Sequence, residues 1–119
     1  MNLNKIFKFD SAHKLINYKG KCENLHGHTY KLKVTVTGKV LDSGMIMDFN
    51  ELSSIVNEAV ISKLDHNYLN DVVSNPTAEN ISKWIFLKIS EVLPEAITLK
   101  KVTLFENETS YVKCYKEDV

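Results

Sequence analysis

Between Tyr30 and Val40, apolar and polar residues alternate more strictly than anywhere else in the chain. Tyr30, Leu32, Val34, Val36 and Val40 take one parity, and Lys31, Lys33, Thr35, Thr37 and Lys39 take the other. Successive side chains of a strand point to opposite faces, so the pattern predicts a long strand with one wet face and one face against a core. That apolar face must be covered, and a chain of 119 residues has material for one compact domain spanning residues 1–119.

The covering elements follow in order. A shorter alternation precedes the long strand, with Phe7, Phe9, Ser11 and His13 on one parity and Lys8 and Asp10 on the other. After the turn Asp42-Ser43-Gly44 the period changes at Asp48, a helix N-cap with Glu51 three residues on. Leu52, Ile55, Val56, Ala59, Val60 and Leu64 then build the stripe of an amphipathic helix ending near Leu64. A second helix is expected from Thr77 to Leu93, opened by Asn75-Pro76-Thr77 and stopped by Pro94. Strands around Leu99 to Phe105 and Ser110 to Tyr115 close the chain. The expectation is an α+β domain in ββααββ order: a four-stranded antiparallel sheet with both helices on one face. Its open edges call for partners, which points to oligomerisation.

Composition removes several function classes. Fifteen basic and fifteen acidic residues cancel, so the totals carry no polyanion-binding excess of the kind a nucleic-acid or membrane-surface protein shows. No run approaches the roughly 20 apolar residues of a membrane span, and the first ten residues do not read as a signal peptide. Two cysteines, Cys22 and Cys114, are too few for a disulfide framework. Free thiols and a cytoplasmic location are expected.

Three of the four histidines are His13 and the pair His26-Gly27-His28. Residues two apart on a strand share a face, and Gly27 puts no side chain between them. If the first two strands pair as an antiparallel hairpin, three imidazoles converge. Three neutral imidazoles with an open fourth position are the ligand set of a catalytic zinc site. The plainer account of an isolated His-x-His is a pair of polar strand residues. Cys22, four positions before His26, is open to three readings: a fourth ligand, a buried apolar residue, or a thiol kept reactive by a nearby cation. Its loop of Gly and Lys favours the last. Asp65-His66 reads either as turn residues past a helix end or as an acid/base imidazole tuned by a carboxylate. Glu106, at a strand end, is either a solvated acid or a bidentate acceptor for a ring N–H and exocyclic amine.

Taken together, Phe9-Asp10-Ser11-Ala12-His13-Lys14-Leu15, Cys22-x3-His26-Gly27-His28, Gly44-Met45-Ile46-Met47-Asp48-Phe49, Leu64-Asp65-His66-Asn67-Tyr68-Leu69-Asn70 and Pro76-Thr77-Ala78-Glu79-Asn80 resemble the 6-pyruvoyl-tetrahydropterin synthase family over nearly the whole chain. The three-residue gap between Cys22 and His26 is similar to the branch that makes 6-carboxy-5,6,7,8-tetrahydropterin for queuosine. The resemblance implies the tunnelling fold, a homo-hexamer of two stacked trimers with active sites at subunit interfaces, and zinc on His13, His26 and His28. It implies Cys22 as general base and Asp65 with His66 as the second proton-transfer group. Glu106 would anchor the pterin, with Thr77 to Glu79 contributing to the pocket. The implied substrate is 7,8-dihydroneopterin triphosphate, and the implied partners include neither nucleic acid nor membrane. The family pattern places Glu-Thr where this chain has Glu106-Asn107, so a shifted alignment would put Glu108 in the anchor role. Lys14, Lys19 and Lys21 are nearby candidates for the triphosphate. Two other functions stay open: elimination of triphosphate without side-chain cleavage, and a non-catalytic zinc-binding module.

Overall fold

A computed structural model describes residues 1–15 and 24–119. β1 (Asn2–His13) and β2 (His26–Thr37) pair antiparallel without a break, from Asn2 opposite Thr37 to His13 opposite His26. Phe7, Phe9, Tyr30, Leu32 and Val34 all fall on one face and are buried, as their parity requires. β2 stops at Thr37 rather than running to Val40. At Gly38 a Cβ would come within 3.0 Å of Ile97 Cδ1 and 3.2 Å of the Ala96 carbonyl, a tight approach that glycine makes without displacing either neighbour. Gly44, with φ +85°, turns the chain before the first helix.

That helix begins at Asp48, whose carboxylate accepts from Asn50 N at 2.6 Å. It runs as α1 (Phe49–Val56), a π turn (Asn57–Ile61) and α2 (Ser62–Leu64). Leu52, Val56, Val60 and Leu64 repeat every four residues and are all fully buried. On an uninterrupted α-helix of 3.6 residues per turn such a repeat drifts about 40° per step. The wider π turn removes part of that drift and keeps the four residues on the sheet.

The chain then forms β3 (Asn67–Tyr68), which lies parallel to β1 through Ser11 opposite Asn67 and Ala12 opposite Tyr68. α3 (Ala78–Val92) follows, capped by the Thr77 hydroxyl on Asn80 N at 3.1 Å, and packs Ile81, Ile85 and Ile89 into the same core. β4 (Thr98–Phe105) pairs with β2, and β5 (Tyr111–Tyr115) with β4, both antiparallel. A register shift at Thr35/Val36 leaves Lys100 unpaired, which lets Leu99 and Val102 both face the core.

The sheet order is β3-β1-β2-β4-β5. The expected α+β layering holds, with both helices on one face. The expected four antiparallel strands are corrected to a five-stranded mixed sheet. Two residues with no apolar pattern of their own make β3, recruited by the open edge of β1.

Leu64 joins core and site, because its side chain is fully buried and its carbonyl accepts the Ser11 hydroxyl. Leu64→Ala is expected to lower unfolding stability by about 2–5 kcal/mol in urea titration, and a loss below about 1 kcal/mol would contradict this packing.

Candidate metal centre and proton-transfer pair

The core-facing parity of β1 and β2 ends in histidines. Ser11 lies opposite His28 and His13 opposite His26, so the three rings crowd at one end of the sheet with centroids 4.5–5.1 Å apart. Tyr30, fully buried and stacked on Phe9 at 5.0 Å, forms their floor. Its hydroxyl pKa is pushed up, first by burial and then by the Glu106 carboxylate.

Hydrogen bonds fix two of the tautomers. His13 Nδ1 lies 2.7 Å from the Pro76 carbonyl and His26 Nδ1 2.7 Å from the Asn24 carbonyl. A carbonyl only accepts, so both Nδ1 atoms carry the proton and both Nε2 atoms present lone pairs. Those two Nε2 atoms face each other at 2.9 Å, an arrangement that repels unless a cation lies with them. His28 Nε2 is buried and makes no hydrogen bond, although Glu106 Oε1 is 2.8 Å away. Burial lowers the His28 pKa; Glu106 opposes the shift, and His13 and His26 add to it. His13, His26, His28 and Glu106 offer ligand atoms within 4.8 Å of one another. Two inward lone pairs, a third ring nitrogen that is buried and without a hydrogen bond, and an adjacent carboxylate fit a divalent cation.

Glu106 enters this group because Lys31 pairs with Phe105, the last residue of β4, which leaves the residue that follows it beside the histidines. Its Oε1 is 2.8 Å from His28 Nε2 and 3.7 Å from His13 Nε2. Glu108 is exposed in the turn beyond. The sequence treats Glu106 as a ligand-ring acceptor, and nothing in its spacing signals contact with the histidines; the β2–β4 register carries that information.

The second group is Asp65 and His66. Asp65 is extended (ψ 131°) after the last helical turn, and His66 is left-handed (φ 56°). This corner brings the side chains of sequence neighbours together, with His66 Nδ1 3.0 Å from Asp65 Oδ2. The corner is riveted to β1, where Asp10 N donates to Asp65 Oδ1 at 2.9 Å and His66 N donates to the Asp10 carbonyl at 2.6 Å. The Asp10 N–H holds the Asp65 carboxyl below the usual carboxylate range, and the contact with His66 adds to it. His28, His66, Asp10 and Lys14 line one cleft of about 930 Å³, so the two groups open onto the same space.

The remaining expected residues lie apart. Thr77 caps α3 next to Pro76, whose carbonyl holds His13. Glu79 is exposed and lines a different cleft, with Ser82, Lys83, Cys114 and Asp118. Cys114 is a buried free thiol whose pKa is raised by burial. Cys22, Lys19 and Lys21 lie outside the described residues.

Residues 2–117 match the family described as 6-pyruvoyl tetrahydropterin synthase. The chain is 33% identical over 141 residues to the 6-carboxy-5,6,7,8-tetrahydropterin synthase of Haemophilus influenzae, covering 97% of this chain and 98% of that one. It is 42% identical over 100 residues to the dihydroneopterin monophosphate aldolase of Pyrococcus furiosus, 82% of each. The solved structure of Caenorhabditis elegans 6-pyruvoyl tetrahydropterin synthase superposes with a TM-score of 0.85 at 26% identity, over 97% of this chain and 94% of that chain.

Two outcomes test the site. His28→Ala is expected to weaken zinc binding by at least about 100-fold in competition with a chromogenic chelator, whereas Glu106→Gln costs about tenfold or less; equal losses would make Glu106 a full ligand. The lowered Asp65 pKa contributes stability above the unfolded value and loses it as pH falls through the folded one. Asp65→Asn should therefore flatten the fall in Tm below about pH 4 and leave the slope above pH 5 unchanged.

Proposed function

Because the chain belongs to the 6-pyruvoyl tetrahydropterin synthase family, we propose that it is a zinc-dependent lyase. It converts 7,8-dihydroneopterin triphosphate and one water to 6-carboxy-5,6,7,8-tetrahydropterin, acetaldehyde and triphosphate, in the cytoplasmic route to queuosine. The observation that carries the reading is the convergence of the His13, His26 and His28 Nε2 atoms at one end of the sheet, beside the Asp65–His66 pair. The three-residue gap from Cys22 to His26 favours the carboxy branch.

A zinc ion on the three imidazoles supplies Lewis acidity toward the oxygens of the substrate side chain. Cys22 acts as general base, removing a side-chain proton. His66 is the second proton carrier, and Asp65, ionised across the working pH range, orients its ring. Glu106 accepts the pterin ring N–H and exocyclic amine, which requires its carboxylate to turn from His28 toward the substrate. Thr77 and Glu79 contribute to the pterin pocket. Within one chain Glu79 lines another cleft, so its part is played toward a neighbouring copy. That need supports a homo-hexamer with interface active sites.

A second reading has its own support. The Pyrococcus furiosus relative is named for aldol chemistry on the monophosphate, and the same donors could serve a retro-aldol cleavage. Zinc-loaded protein given the triphosphate and the monophosphate of dihydroneopterin in parallel separates the readings by mass spectrometry. Acetaldehyde and the carboxy-pterin are expected from the triphosphate, reduced by about 100-fold or more in Cys22→Ala. A pyruvoyl product without acetaldehyde, or turnover of the monophosphate alone, would overturn the assignment.

A further inference from the structure

The sheet face turned away from the helices has a composition of its own. Lys8 on β1 stands opposite Lys31 on β2. Lys33 stands opposite Thr103 on β4, and Thr103 in turn opposite Lys113 on β5. Lys101 lies two residues before Thr103 on the same face, opposite Thr35. Across all five strands the one acidic residue is Asp10, at the end beyond Lys8, where Thr29 Oγ1 already donates to its Oδ1 at 2.5 Å. Among the described residues none of the five lysines forms an ion pair. In a chain whose fifteen acidic and fifteen basic residues cancel, this is a segregation of charge along the strands; off them, Glu106 and Glu108 share a cleft with Lys8 and Lys31, and Glu79 and Asp118 share one with Lys113. Like charges directly opposite on neighbouring strands destabilise a sheet, so an isolated chain gains nothing from the arrangement.

A second, independent observation lies at the centre of this face. Thr103 is 1% exposed, and its Oγ1 has no hydrogen-bond partner. Buried hydroxyls in folded proteins are satisfied by protein, water or ligand. This one sits between Lys33 and Lys113 and can donate to an anionic oxygen held by them. All of the chain's cations are lysines, point charges that respond to charge density rather than to planar edges. Phe105 is covered by Lys31 Nζ at 4.0 Å and contacts Tyr111 at 4.5 Å, so its ring is not a free platform for stacking a base. A compact anion of high charge fits better than a nucleic acid strand.

We propose that this sheet face binds a linear condensed phosphate, with the Thr103 hydroxyl donating to a phosphoryl oxygen between Lys33 and Lys113, and with Lys8, Lys31 and Lys101 around it. Its centre, Thr103 with Lys33, Lys101 and Lys113, lies on the opposite face of the sheet from the histidines, while Lys8 and Lys31 line a cleft that also reaches His28 and Glu106; the site does not depend on which reaction the histidines carry out.

Calorimetric titration of the full-length protein with inorganic tripolyphosphate tests this. Saturable, salt-sensitive binding is expected, weakened about tenfold by Thr103→Val and by each of Lys33→Gln and Lys113→Gln, and unchanged in Lys88→Gln and His26→Ala. The ligand-free Tm of Thr103→Val should be equal to or above that of the parent, because a buried hydroxyl without a partner is replaced by a methyl group of similar size. Absence of saturable binding would overturn the proposal, as would equal weakening by Lys88→Gln or retention of affinity in the Thr103 and Lys33 variants. Loss in His26→Ala alone would move the anion to the histidine side. Tighter binding of a single-stranded oligonucleotide than of tripolyphosphate would replace the ligand class.

Discussion

The unbroken antiparallel register between β1 and β2 is the constraint on which the other features rest. Because side chains alternate, a slip of one residue would exchange the two faces of a strand. His26 and His28 would move to the solvent side, and Lys31 and Lys33 would enter the core beside Phe7 and Phe9. The observed register buries Tyr30, Leu32, Val34 and Val36 completely. The free energy of that burial, of the order of 1.5–3 kcal/mol per side chain, therefore also holds the imidazoles together. Placing three donor rings and an acid within a few ångströms is costly to a folded chain, and it is tolerated because the strand has no alternative register.

β1 serves the site twice. Its side chains supply His13 and the Ser11 hydroxyl, while its backbone at Asp10 grips the Asp65–His66 corner through one donor and one acceptor. The first helix must deliver its end to that point. Its four-residue repeat of buried leucines and valines, kept in phase by the π turn, sets where Leu64 and hence Asp65 arrive. α3 closes the arrangement from the other side, since the Pro76 carbonyl just before its cap accepts the hydrogen bond donated by His13 Nδ1–H. The tautomers of His13 and His26 are thus set by backbone carbonyls rather than by mobile side chains.

Local spacing was enough to locate both helices and the Asp48 cap, and the convergence of His13 with His26 and His28 followed once the first two strands paired as a hairpin. Features that depend on register between distant strands or on a single dihedral were not legible. β3 has no apolar pattern and exists because β1 offers an edge. The Asp65–His66 contact depends on a positive φ at a histidine. The proximity of Glu106 to the histidines depends on its register against β2. Glu79 falls on another side of the chain because of the phase of α3. The segregation of lysines onto one face is invisible in a net charge of zero.

The central claim is that the hairpin register builds a three-imidazole metal site in which Cys22 is not a ligand. Zinc K-edge X-ray absorption on the zinc-loaded protein tests it most directly. The account predicts a shell of nitrogen and oxygen neighbours at about 2.0–2.1 Å with the multiple scattering of three imidazoles and no sulfur. A Zn–S distance near 2.3 Å, or an imidazole count below three, would contradict it.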